Sequence, residues 1–90
     1  MIHTNLVQAL EKQIRFCEQY ERYKCGVFVR TQIQREIAAK CISNLLSSSV
    51  QVQHRASSHE TRFWWENGSC ITVLQVSDYV RGHKFNGVVI

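Results

Sequence analysis

The chain has 90 residues, 44% of them hydrophobic, and its 11 Lys and Arg exceed its 7 Asp and Glu to give a formal net charge of +4. This length predicts a single domain, residues 1–90, and the charge favours acidic partners, nucleic acid among them, although an ordinary solvated surface fits equally well. The absence of an 18-residue apolar run excludes an ordinary transmembrane helix, and the absence of five successive like charges excludes a basic tail.

The cysteines are Cys17, Cys25, Cys41 and Cys70. Their wide spacing, without a C-x-x-C pair, argues against a zinc knuckle, and we expect small, buried, reduced thiols. Residues 1–13 have neither a basic region nor an apolar core typical of a signal peptide. The sequence therefore predicts a cytoplasmic protein.

Residues 5–23 are predicted to form a helix, because apolar side chains recur at three- and four-residue steps after Thr4, a suitable capping residue. The apolar stripe consists of Leu6, Val7, Leu10, Ile14, Cys17 and Tyr20. Glu11 and Arg15 form a favourable pair on the opposite face. The short segment 25–30, rich in Val and Phe, predicts a strand.

A second helix is predicted from Thr31, since Gln34 three residues later completes a capping-box pattern. Its predicted apolar face consists of Ile33, Ile37, Ala38, Cys41, Ile42, Leu45 and Leu46. Three serines, residues 47–49, are expected to end it.

Further strands are predicted at residues 50–54, 61–66, 69–76 and 87–90. Asn67-Gly68 predicts a hairpin in which both turn residues take positive φ. The segments 55–60 and 77–86 are polar and predict loops. This order predicts an α/β fold, with α+β as the alternative, in which two helices pack on a small mixed β-sheet.

The most informative constellation consists of Asn67-Gly68-Ser69, Arg81-Gly82, the apolar strand 87–90 and the segment 27–32. In layout it resembles the part of viral terminase large subunits, the motors that package DNA into capsids, that lies between the Walker A and Walker B motifs. In that family a hairpin carrying N-G-S precedes an R-G loop and an apolar strand that delivers acidic residues. The resemblance covers most of the chain but depends on few identities.

Both catalytic motifs of that family are missing. No G-x-x-x-x-G-K-[ST] is present to hold phosphates, and no acidic residue follows Val88-Val89-Ile90 to hold magnesium. We therefore expect a protein that is not an enzyme and needs no cofactor. His54, His59 and His83 match no metal-ligand spacing, so no metal site is expected.

Two groups of residues are candidates for partner binding. Arg81, with His83 and Lys84 beside it, would form a small basic patch able to contact phosphate or a carboxylate, whereas the alternative is a solvated loop. On the strand 61–66, Arg62 and Trp64 face one way and the alternate residues the other. If helices covered both faces of the sheet, Trp64 would lie in the core; if one face were open, Trp64 would be a binding hot spot or a base-stacking platform.

Three functions fit these features. The first is a small phage protein, similar in its size to anti-CRISPR proteins, that binds and inhibits a nucleic-acid-processing complex in the host cytoplasm. The second is a separately encoded piece of a packaging ATPase. The third is a small basic DNA-binding module. We expect a protein partner, a nucleic-acid contact, no membrane, and a homodimer if the edge strand 87–90 pairs with its copy.

Overall fold

The computed structural model describes residues 4–46, 52–57, 60–75 and 85–89. The helices are α1 (Thr4–Gln19) and α2 (Gln32–Leu45). The strands are β1 (Lys24–Val29), β2 (Val52–Ala56), β3 (Glu60–Trp65), β4 (Cys70–Gln75) and β5 (Gly87–Val89). Two helices pack on one five-stranded mixed sheet, so the predicted α/β fold is confirmed.

The strands lie in the order β2-β3-β4-β1-β5. β1 is parallel to both β4 and β5, whereas β2, β3 and β4 pair antiparallel in succession. β2 continues to Ala56, two residues beyond the predicted strand 50–54 and inside the segment predicted to be a loop, and residues 50–51 lie outside the described residues. The antiparallel part of the sheet thus consists of the β3–β4 hairpin and β2.

Both helices cover the same face of the sheet. One hydrophobic core contains Leu10 and Ile14 of α1 and Ile42 of α2. It also contains alternate strand residues such as Val27 and Val73. These strand residues face one side because successive side chains of a strand alternate. Of the two alternatives for Trp64, the structure therefore shows the one in which part of the opposite face is open.

The turn between β3 and β4 differs from the predicted one. Trp65 donates to the Ser69 carbonyl at 2.9 Å, and Gly68 donates to the Trp65 carbonyl at 3.1 Å, which encloses a three-residue loop. Gly68 has a φ of +88°, and Arg22 is the non-glycine residue with positive φ in the described part of the chain, so Asn67 does not adopt it. The turn is therefore a type I turn followed by a glycine bulge, and the prediction of positive φ at both positions is wrong.

The same hairpin ends helix α1. The Asn67 amide donates to the carbonyls of Cys17 at 2.7 Å and Tyr20 at 3.2 Å, and the Ser69 hydroxyl donates to the Tyr20 carbonyl at 2.6 Å. These side chains satisfy carbonyls that the helix leaves without partners. The predicted helix 5–23 is consequently too long, and Tyr20, predicted to belong to the apolar stripe, is 54% exposed.

Helix α2 begins as predicted but buries a different face. Thr31 caps it, since its hydroxyl accepts from the Gln34 N–H at 3.1 Å. Ile33, predicted to be apolar core, is 69% exposed, whereas Arg35 is 6% exposed. Ile33 and Ile42 are nine positions apart, and at about 100° per residue they lie on opposite sides of the helix. The assignment of Ile33 to the buried face is therefore wrong.

Near β5, one glycine allows an aromatic ring to approach the sheet. A Cβ at Gly26 would lie 2.8 Å from the Phe85 ring, which also contacts Phe28 edge-on with 5.7 Å between ring centroids. Gly26 and Phe28 alternate with the core residue Val27, so Phe85 lies on the side opposite the helices.

Candidate functional site

A cationic groove lies on the face of the sheet opposite the helices. Its volume is about 610 Å³. It is lined by Lys24, Arg55, Ser57, Glu60, Arg62, Trp64, Gly68 and Cys70. We refer to these eight residues as the open-face groove. Among the described residues that line it are three cations and a single carboxylate, and this charge favours an anionic ligand.

Strand register brings the groove residues together from four strands. Trp64 of β3 pairs with Gln53 on β2 and with Cys70 on β4. Cys70 in turn pairs with Lys24 on β1. One row further along, Arg55 pairs with Arg62. The register thus gives two neighbouring rows of side chains, one with the Trp64 ring and the next with two guanidinium groups.

The pairing of Arg55 with Arg62 places two positive charges directly opposite each other. Such cross-strand neighbours have Cβ atoms about 4.5–5.5 Å apart, and like charges in this position destabilise the sheet. Both residues are exposed, and of the two, Arg62 has an ion pair, a long one of 3.4 Å to Glu60. A bound phosphate between the two guanidinium groups would relieve the repulsion through charge-assisted hydrogen bonds.

Trp64 and Trp65 have different environments, as alternation on a strand requires. Trp65 is 6% exposed and belongs to the core, whereas Trp64 is partly exposed and lines the groove. An indole at a surface rimmed by arginines offers a π-face to a nucleobase. The structure thus makes Trp64 available for contact.

The candidates from the sequence divide between two regions. Arg62 and Trp64 lie together in the open-face groove, whereas Arg81, His83 and Lys84 lie outside the described residues. Sequence reasoning missed Lys24, because the predicted strand began at residue 25 whereas β1 begins at Lys24, and it missed Arg55, because that segment was predicted to be a loop. Arg55 lies two positions after Gln53, so on an extended strand the two side chains share a face. This alternation was the signal that could have identified Arg55.

The cysteines lie mainly in the core. Burial raises the pKa of the Cys25 thiol to about 12, and the neighbouring Cys70 contributes to this shift. Burial also raises the pKa of the Cys17 thiol, and Cys25 and Cys70 add to it. Thiols held in the neutral form are poor nucleophiles and poor metal ligands. Within residues 4–46, 52–57, 60–75 and 85–89, no cluster of three or more His, Cys, Asp or Glu side chains is placed to hold a metal ion.

Neither helix that the structure describes is long and apolar enough to cross a membrane. The fold and groove together define a small α/β domain with an open, cationic sheet face. Comparisons with protein-family models, with curated proteins and with solved structures gave no match. The resemblances to terminase cores and to anti-CRISPR proteins therefore stay predictions.

Proposed function

We propose that this protein is a non-catalytic binding module that holds single-stranded nucleic acid across its open-face groove. Arg55, Arg62 and Lys24 contact phosphates, and Trp64 stacks on a base. Such sites combine a positively charged surface that follows the backbone with an aromatic platform, and they bind with little sequence preference.

The observation that carries this proposal is the arrangement of Arg55 and Arg62 beside Trp64 on one face. Two guanidinium groups at neighbouring-strand distance match the oxygens of a phosphate, since guanidinium donates in a fixed planar fork. A double helix is a poorer fit, because its bases are already stacked on one another and present no free face to Trp64. Single strands are therefore the preferred ligand.

The test is a fluorescence-anisotropy titration with a labelled mixed-sequence 12-mer, as single-stranded DNA, as RNA and as a DNA duplex. We expect the single strands to bind more tightly than the duplex. Trp64→Ala should weaken binding by about 1–3 kcal/mol, the usual loss when one stacked base is lost, while the fold survives. Lys40→Ala is the matched control for the cations, because Lys40 is exposed on α2, away from the groove.

Failure of the folded wild-type chain to bind any of the three ligands would refute this proposal. So would binding that Trp64→Ala and Arg62→Ala leave at the level of Lys40→Ala. Circular dichroism of each variant checks the fold; collapse of Trp64→Ala would instead show that Trp64 serves the core.

A second candidate function is inhibition of a nucleic-acid-processing complex by protein contact, as in the anti-CRISPR-like hypothesis. The supporting observation is the edge strand β2, which pairs with β3 on one side and whose residues 53–56 are exposed. An exposed edge is a template on which a partner's strand can pair. This candidate gains if the oligonucleotide titration is negative and a purified nuclease complex binds the chain.

The terminase hypothesis makes a separate proposal, in which the chain contributes sheet and hairpin to an ATPase completed by another chain. Here Asn67 and Ser69 cap α1, a structural role that needs no nucleotide. We expect no magnesium-dependent ATP hydrolysis by the pure protein, and hydrolysis that survives repurification would contradict this expectation.

Homodimerisation through β5 is likewise a proposal. β5 is the other edge of the sheet, and its Val88 is 50% exposed. Sedimentation equilibrium would distinguish a dimer from a monomer.

A further inference from the structure

A second groove adjoins the open-face groove beside the turn of the β3–β4 hairpin. Its volume is about 590 Å³, and it is lined by Arg22, Lys24, Gly68, Phe85 and Asn86. We refer to these five residues as the hairpin groove. Lys24 and Gly68 also line the open-face groove, so the two grooves meet there. Among the described residues that line the hairpin groove are two cations and no carboxylate, and this charge favours an anion.

Arg22 has a backbone conformation that is unfavourable for an arginine. Its φ is +57°, in the left-handed region where glycine is the usual residue and a side chain costs stability. The hairpin holds this conformation, because the Arg22 N–H donates to the Asn67 carbonyl at 3.2 Å. The next N–H, that of Tyr23, donates to the Ser69 hydroxyl at 3.0 Å. A glycine would satisfy the same backbone without strain, so stability does not explain the arginine, and such an outlier indicates a role for its side chain.

The polar side chains of the hairpin groove are available to a ligand. Arg22 and Lys24 are exposed, and neither side chain forms an ion pair or hydrogen bond with another residue that the structure describes. The stem of Arg22 passes over Gly68, where a Cβ would lie 3.2 Å from Arg22 Cγ. Asn86 is held by two hydrogen bonds to Lys24: its Oδ1 accepts from the Lys24 N–H at 2.9 Å, and its N–H donates to the Lys24 carbonyl at 2.7 Å. The Asn86 side-chain amino group keeps its two donors for a phosphate oxygen or a base.

The strand register leads from the Trp64 ring to the hairpin groove. Trp64 pairs with Cys70, and Cys70 pairs with Lys24. Lys24 therefore lies two strand spacings from Trp64, about 10 Å across the sheet. Arg55 lies on β2, on the other side of Trp64. A nucleic-acid strand that contacts Arg55 and Trp64 reaches Lys24 and then Arg22 if it continues across the sheet in the same direction.

From this geometry we infer that the hairpin groove is a second phosphate-binding subsite, which holds the same single strand after it leaves the open-face groove. Arg22 and Lys24 contact its phosphates, and Asn86 donates to a phosphate or a base. The inference rests on the proposed function, because the strand must first lie across the open-face groove. It gives the ligand a path from β2 past β1, and it predicts a longer binding site than the open-face groove alone provides.

The test is a series of oligothymidines of four, six, eight, ten and twelve nucleotides, measured by competition against a labelled 12-mer. The series lies within the range of about 4–16 nucleotides that single-strand sites cover. Arg22→Gly removes the cation and suits the positive φ, so the fold should survive. We expect its affinity to equal that of wild type for the shortest oligomer. For the longest it should be lower by about three- to fivefold, the usual contribution of one exposed ion pair.

Two further variants serve as controls. Arg22→Lys keeps the charge and should stay close to wild type at every length. Lys40→Ala removes one positive charge at an exposed position on α2, away from both grooves, and should show no dependence on length. Circular dichroism checks each fold, and Arg22→Gln, which keeps most of the side-chain stem, replaces Arg22→Gly in the same comparison if the glycine variant does not fold.

The inference is overturned if the ratio of wild-type to Arg22→Gly affinity is the same at four and at twelve nucleotides. It is also overturned if the loss in Arg22→Gly is no larger than the loss in Lys40→Ala. In either case weaker binding by Trp64→Ala still supports the proposed function. Absence of wild-type binding to every oligomer would overturn both.

Discussion

At the scale of single residues, the N-G-S stretch shows how a motif that resembles a family signature is explained by local physics. Asn67 bridges α1 and the hairpin: its amide donates to the Cys17 and Tyr20 carbonyls, and its Oδ1 accepts from the Ser69 N–H at 2.9 Å. Gly68 supplies the positive φ that the bulge requires, and Ser69 is fully buried. Each of the three residues therefore has a structural reason that does not involve nucleotide binding.

Asn67→Ala should lower the free energy of unfolding by about 1–3 kcal/mol, since it removes three hydrogen bonds and leaves the end of α1 without its cap. Chemical denaturation measures this change. Asn44→Ala is the control, because Asn44 is an exposed asparagine near the end of α2. A loss of unfolding free energy at position 67 no larger than the loss at position 44 would show that the hydrogen bonds of Asn67 do not stabilise the fold.

The buried thiols predict a decline of stability in alkali. The pKa of Cys25 rises from its ordinary value of 9.0 to about 12 in the folded chain, because burial disfavours the thiolate. Between pH 9 and 12 the unfolded state loses this proton and the folded state keeps it, so stability is fully present below pH 9 and falls as the pH rises through this window.

Cys25→Ala removes that contribution. Its free energy of unfolding should therefore fall less steeply than that of wild type above pH 9, by at most about 1.4 kcal/mol per pH unit. The other titratable groups are the same in both proteins, so the difference between the two curves reports the loss of Cys25 together with its smaller effect on the pKa of Cys17. Parallel curves would contradict the assignment.

At the scale of elements, the two helices differ in how well their sequence patterns predict burial. In α1 the residues Leu10, Ile14 and Cys17 are buried as predicted. In α2 the pattern contains two overlapping stripes, one through Ile33 and Ile37 and one through Arg35, Ala38 and Ile42. Packing on the sheet selects the second stripe even though it begins with an arginine.

Ile33→Ser and Ile42→Ala test this choice of face. Ile42 is fully buried, so its truncation should cost about 2–5 kcal/mol of unfolding free energy. Ile33→Ser should lie within about 0.5 kcal/mol of wild type, as expected for a surface site. Thermal or urea denaturation compares the two; a large loss for Ile33→Ser would mean that the predicted face was the buried one after all.

Sequence reasoning predicted the elements and the fold class because helical and strand periodicity are local signals. It failed where a second segment decides the outcome. The end of α1 is set by Asn67 and Ser69, about 50 residues away in the chain. The second half of the site, Lys24 and Arg55, depends on strand order, which periodicity does not encode. Arg62 and Trp64 were found because alternation within one strand was enough to place them on the same face.

At the scale of the whole molecule, the two faces of the sheet differ. One is covered by the helices and forms the core, and the other is partly open and carries the groove. Helices on a single side leave the cations of β1, β2 and β3 free to act together. If all three contact phosphate, log Kd should rise with log salt with a slope of roughly 2, as expected for three contacts on a single strand.

Arg62→Ala should lower this salt slope by roughly 0.7. Each phosphate contact on a single strand releases counterions when it forms, so a chain with one contact fewer releases fewer of them. Anisotropy titrations at 50, 100 and 200 mM salt measure it, with Lys40→Ala as the control that keeps the wild-type slope. A slope that is unchanged in Arg62→Ala would mean that its guanidinium does not contact phosphate.

The most direct measurement of the central claim uses the fluorescence of the two tryptophans separately. Trp65→Phe leaves Trp64 as the reporter, and Trp64→Phe leaves the buried Trp65. On addition of single-stranded oligonucleotide, we predict strong quenching in the chain that keeps Trp64, because a base stacks on its indole, and little change in the chain that keeps Trp65. Quenching of Trp65 alone, or no quenching in either folded variant at saturating oligonucleotide, would contradict the assignment of the open face as a nucleic-acid-binding surface.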